Sequence, residues 1–181
     1  MTKRLVSLVA IAGSLALTAC IPPAPEPTPA PTPSPVAQPS VAPTQVVAPT
    51  YDNWMDAPQT VGNWTYRAQG STTQALFGEA SQGARVVISC DRTSRRVTIA
   101  RSGMASGQVD MLVRTETQDR TLTAGAVPGQ EQIAVQLAAS DPLLDAIAFS
   151  RGRFALGAGG QQTLYLPAYP EITRVVEDCR G

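Results

Sequence analysis

The chain has 181 residues, 14 basic and 14 acidic side chains, no histidine and a formal charge of zero. The missing histidine excludes Ser-His and Cys-His nucleophiles and the commonest zinc ligand. Lys3 is the only lysine, so a chain lacking the first residues also has no Ser-Lys dyad or Schiff base. Binding to nucleic acid rests on neutralising phosphates, and a near-neutral chain has no electrostatic reason to do it.

Met1 to Arg4 is a short basic start, and Leu5 to Leu17 is a 13-residue apolar run. A membrane-spanning helix needs about 20 such residues, so the run reads as a signal peptide. It ends in Leu17-Thr18-Ala19-Cys20, with small residues between leucine and cysteine. This resembles the lipobox of bacterial lipoproteins. The resemblance implies cleavage before Cys20, diacylation of its thiol and acylation of the new amino terminus. More than one acyl chain gives stable anchoring where a single chain is marginal. The residue after the cysteine is Ile21 rather than aspartate, which in that family points to the outer membrane. An ordinary secretory signal with an incidental cysteine is the plainer alternative. Residues 1–19 are then signal, and removing Lys3 and Arg4 leaves twelve arginines against fourteen carboxylates.

Residues 20–50 read as the lipidated cysteine and a tether. Eleven of the 28 residues from Pro22 to Pro49 are proline. Proline fixes φ near the polyproline II value and removes a donor, so the stretch stays extended and solvated. At about 3.1 Å per residue it reaches up to about 85 Å. The monotonous alternation and the lack of flanking basic residues favour a spacer over a ligand for a proline-binding domain.

Residues 51–181 read as one β-rich domain. Tyr51 to Pro58 is an irregular lead-in. Alternation predicts strands at Asn63–Ala68, Gln74–Glu79, Arg85–Asp91, Arg96–Arg101, Val109–Thr115 and Ile133–Leu137, with a weaker one at Thr121–Val127. Arg85–Asp91 and Arg96–Arg101 form a hairpin. Asp141-Pro142 is an N-cap with proline at the first helical position, and a short helix follows over 142–149. Phe154–Leu156 and Thr163–Leu166 flank Gly159-Gly160 as a terminal hairpin. Pro170 opens a last helix over 170–179, whose Ile172, Val175, Val176 and Cys179 share one face. About eight antiparallel strands in sequential meanders are expected, as a small sandwich or partly open barrel. The last helix covers one open face or end.

Setting Cys20 aside leaves Cys90 and Cys179, both on expected buried faces. In an oxidising envelope a structural disulfide between them is the default. A metal or redox pair lacks the Cys-x-x-Cys spacing and any histidine. No phosphate or calcium loop is present, and no cofactor is expected. Gly103-Met-Ala-Ser-Gly107 has the composition of a nucleophile elbow with the wrong spacing, and nothing could activate Ser106. Asp141 with Asp145, and Glu177 with Asp178, are carboxylate pairs, but a cap and a solvated helix face account for them better than a hydrolase. Arg151 and Arg153 flank Gly152. They read either as a grip for a phosphate or carboxylate on a partner, or as ion pairs with Asp145, Glu177 or Asp178.

The span from Trp64 to Pro167 is similar in architecture to the invasion-associated locus B family. These are secreted β-rich domains with an early Trp strand, a disulfide and a late Phe-containing hairpin. The chain departs from that pattern in lacking a cysteine soon after Trp64 and in ending on a helix that carries Cys179. That family offers no catalytic residues to transfer. The stretches Ala148 to Phe154 and Glu177 to Arg180 resemble proteobacterial envelope proteins. The expected function is a non-catalytic lipoprotein at the outer membrane, its domain facing the periplasm or the cell surface and binding a protein or polymer partner. A periplasmic protease inhibitor or stress-protective module is the alternative, and a carboxylate hydrolase the third.

Overall fold

The computed structural model describes Tyr51 and residues 53–181. The signal, Cys20 and the tether lie outside the described residues.

Alternating apolar residues put one face of each strand against a common interior. Nine strands form in chain order: β1 (Asn63–Gln69), β2 (Thr72–Glu79), β3 (Gly83–Asp91), β4 (Arg96–Ser102), β5 (Gln108–Arg114), β6 (Asp119–Ala126), β7 (Gln132–Ala138), β8 (Arg153–Ala158) and β9 (Leu164–Pro167). They make one antiparallel sheet in the order β1-β2-β3-β4-β7-β6-β5-β8-β9. The stretch read as a weak strand is a full one: β6 pairs with β5 along its length, from Gln108 opposite Gly125 to Arg114 opposite Asp119.

Sequential hairpins hold for β1 to β4 and for β8 with β9. Between them the expected meander is broken, because β5, β6 and β7 enter in reverse order by a Greek-key connection. The register gives the reason. β7 lies along all of β4, with Leu137 opposite Val97 and Ile133 opposite Arg101. It meets β6 at only two positions, Gly125 opposite Ala134 and Ala126 opposite Ile133. The sheet therefore folds at β6–β7 and encloses its own apolar face, giving a curled half-barrel.

The segment before β1 and the Trp64 side chain close onto the opposite edge strand, β9. The Thr60 N–H donates to the Tyr165 carbonyl at 2.9 Å, and the Tyr165 N–H donates to Thr60 Oγ1 at 2.9 Å. The buried indole of Trp64 donates to the Pro167 carbonyl at 2.8 Å. Trp64 also packs on Phe77, ring centroids 5.2 Å apart. Entry into β1 turns at Gly62, whose φ of +142° suits glycine, and a Cβ there would meet the Phe77 ring at 3.0 Å.

Two helices fill the concave side. Helix α1 (Pro142–Ala148) starts where Asp141 accepts from the Leu143 N–H at 2.9 Å, and it buries Leu143, Leu144, Ile147 and Ala148. Helix α2 (Pro170–Arg180) buries Ile172, Val175, Val176 and Cys179, and packs on α1 and across β1 to β4. Cys90 on β3 and Cys179 on α2 are joined by a disulfide, with Cα atoms 5.5 Å apart. Arg180, at the end of α2, donates to the Ala139 carbonyl at 3.0 Å and to Asp145 at 2.8 Å. Among the described residues no helix is long and apolar enough to cross a membrane.

Candidate functional site

An open concavity lies beside the lead-in, on the outward side of β5 and β9. Its floor follows from register. On β5, Met111 and Val113 point inward and are buried, so Arg114 points outward. Arg114 is opposite Ala155 on β8, which is opposite Tyr165 on β9. The outward position between arginine and tyrosine is thus a small alanine.

The lead-in crosses this row. Asn53 caps a short turn at Trp54–Asp56 through the Met55 N–H, 3.1 Å away. Ala57 is fully buried, as is Ala155 beneath the same region. Arg153 donates to the Ala57 carbonyl. Trp54 lies under the Arg114 guanidinium, 5.9 Å from its ring centroid, while Arg114 keeps Asp119 at 2.9 Å. The Tyr51 and Tyr165 rings meet edge to face at 6.4 Å. Between lead-in, β9 and the turn before it runs an open groove of about 760 Å3, walled by Gln59, Thr60, Gln161 and Gln162, with Arg85 and Glu79 among its lining.

Arg101 sets one wall of that groove from inside. It continues the inward row of Val97 and Ile99 on β4 and is 4% exposed. It donates to the carbonyls of Leu156 at 3.1 Å, Gln162 at 3.0 Å and its neighbour Ser102 at 3.3 Å. Burial lowers its pKa, and the nearby Arg85 lowers it further. Among the described residues no carboxylate forms an ion pair with Arg101. A buried guanidinium is tolerated here because backbone carbonyls take up its donors. The result is a fixed path for residues 156–162. The signal for Arg101 was present in the sequence as an arginine in phase with Val97 and Ile99, but a charge at a strand end reads as solvent-facing.

The turn at Gly152, with φ of +75°, sends Arg151 and Arg153 to different segments. Arg151 is 87% exposed at its side chain and lies 3.6 Å from Glu116, whereas Arg153 reaches Ala57. Neither takes the partners expected from the sequence. Asp145 is held by Arg180 at 2.8 and 3.1 Å, and Asp178 accepts from the Tyr66 hydroxyl at 2.7 Å. That bond, followed by burial, raises the Tyr66 pKa. The loop carrying Arg151 is pinned by Ser150, whose Oγ accepts from the Glu116 N–H at 3.1 Å and donates to the Arg153 carbonyl at 2.6 Å. It leaves Phe149 70% exposed.

Of the carboxylates singled out in the sequence, Asp141, Asp145 and Asp178 each take a separate partner. Burial pushes the Asp141 carboxyl up, but Arg120 at 2.6 Å and the Leu143 N–H outweigh it and hold the pKa below the usual carboxylate value. Glu79 is the one carboxylate among the described lining of the groove. Ser106 lies in the exposed loop between β4 and β5. Among the described residues no group of three or more metal-ligating side chains is brought together. No protein-family model, curated protein or solved structure matches the chain.

Proposed function

We propose that this chain is a lipoprotein anchored at the outer membrane through Cys20. Its non-catalytic β-domain binds a protein or polymer partner of the cell envelope. The location rests on Leu17-Thr18-Ala19-Cys20 and the proline-rich stretch after it. The observation that carries the binding role is the outer groove. Three half-exposed aromatic rings, Tyr51, Trp54 and Tyr165, line a concavity rather than filling the core, at the end of the domain where the tether joins it in sequence. Aromatic side chains left partly open beside polar groups are the usual equipment of a recognition surface.

Replacing Cys20 with serine separates anchored from secreted material. The expected result is an unprocessed or unlipidated protein that no longer partitions into detergent with the outer membrane. Full partitioning of Cys20→Ser with membranes would overturn the anchor. Crosslinking in intact cells then identifies the partner, and crosslinks confined to the concave helices would count against the groove.

The inhibitor reading draws on one observation, the pinned loop at Ser150 that presents Phe149 and Arg151 to solvent. An exposed aromatic beside an arginine on a held loop suits insertion into a partner's cleft.

A further inference from the structure

We infer that the groove binds a strand of N-acetylated glycan. The inference rests on the partner-binding reading above and narrows it to one chemistry.

A sugar ring has an apolar C–H face and a rim of hydroxyl and amide groups, so its site needs flat apolar platforms beside groups that both donate and accept. The groove has both. Tyr51, Trp54 and Tyr165 provide the platforms; Gln59, Gln161 and Gln162 provide primary amides, each a donor and an acceptor and able to pair with an acetamido group. The groove is open to solvent, which leaves room for a ligand longer than one sugar ring.

A peptide strand fits less well. Peptides add to exposed sheet edges through main-chain hydrogen bonds. At this edge the Tyr165 N–H and carbonyl are both taken by Thr60, and the Pro167 carbonyl is taken by Trp64. What remains for recognition is side-chain chemistry. The lining carries Arg85 and Glu79 together, and Arg114 keeps Asp119, so no strong single-sign field selects a polyanion. The turn that supplies Gln161 and Gln162 is held from within by Arg101 through the Leu156 and Gln162 carbonyls, which fixes its backbone, and the Gln161 amide donates to the Met104 carbonyl at 3.5 Å, leaving its oxygen free to accept.

The test is co-sedimentation of the full-length protein, purified in detergent, with purified peptidoglycan sacculi, competed by an N-acetylglucosamine hexamer. The wild type should pellet with sacculi and be released by the hexamer. Trp54→Ala combined with Tyr165→Ala should weaken retention by about tenfold or more, the scale of losing central aromatic contacts. Gln161→Ala, a substitution away from the core, should weaken it with the melting temperature unchanged. Phe149→Ala with Arg151→Ala should leave it as in the wild type. Wild-type protein that stays in the supernatant would overturn the inference, as would groove variants that bind like the wild type or loss of binding only in the Phe149 and Arg151 variant. A protein crosslinked in cells by the wild type but not by the groove double variant, with neither retained on sacculi, would also overturn it, while leaving the broader partner-binding function standing.

Discussion

The two faces of the sheet are covered by different means. On the concave face, α2 lays four buried side chains against β1 to β4 and is tied to β3 by a covalent bond. On the convex face the covering segment has no buried residue in its one helical turn. It is held by a cap, by the Thr60 N–H donating to the Tyr165 carbonyl, by the Arg153 guanidinium donating to the Ala57 carbonyl, and by half-open aromatic rings. Apolar burial at roughly 25 cal/mol per Å2 makes the first cover part of the core. The second contributes little to stability and leaves its aromatic surface open. Apolar burial is concentrated on the helix side, and the partly open aromatic rings lie on the other.

The largest expected effect breaks the concave cover. Cys90→Ala with Cys179→Ala removes a crosslink spanning 89 residues of sequence, worth about 4–5 kcal/mol in the chain-entropy model. Urea denaturation should show a correspondingly lower midpoint, and the increase in hydrogen exchange over the wild type should be larger at 170–180 than at the lead-in. A loss below about 1 kcal/mol would show that packing alone holds α2 and would weaken the contrast between the faces.

A smaller effect sharpens the concave side through pH. Asp141 has a lower pKa folded than the value near 3.9 of an unfolded chain. The folded state therefore binds fewer protons there, and the stabilisation is fully present above about pH 4. It is lost as pH falls through the folded value. Asp141→Asn keeps an acceptor for the Leu143 N–H and removes the charge that meets Arg120. The variant should melt with a flatter pH dependence below about pH 4 than the wild type. Asp141→Ala also loses the cap and should cost about 1–2 kcal/mol at neutral pH. An unchanged acid limb in Asp141→Asn would remove the Arg120 pair from the account.

The smallest effect belongs to the convex side. Trp54→Ala should lower stability by less than about 1 kcal/mol, the scale of an exposed cation–π contact. A loss of several kcal/mol in thermal or urea denaturation would make the lead-in a structural element rather than a wall of the site.

Much of the fold could be read from alternation because each strand has one apolar face and one polar face. Val86, Ile88 and Cys90, or Met111 and Val113, declare their inner face directly. The last helix was equally legible, since Ile172, Val175, Val176 and Cys179 fit one stripe. Strand neighbours were not. A period of two says which face is buried but not which strand lies alongside, so the partnership of β7 with β4 emerged only from the register. The groove was harder still. Tyr51 to Val61 has no periodicity, and its cover of the convex face depends on Ala155 and Tyr165, about 100 residues later. The arginine pair at 151 and 153 looked convergent in sequence because spacing carries no direction. The positive φ at Gly152 and the start of β8 separate the two.

The measurement that bears most directly on this division of labour is hydrogen exchange of the full-length protein with and without a saturating N-acetylglucosamine hexamer. Slowed exchange confined to residues 53–61 and 161–165, with 170–180 unchanged, is the result this account predicts. Protection over α1 and α2, or none on either face, would contradict it.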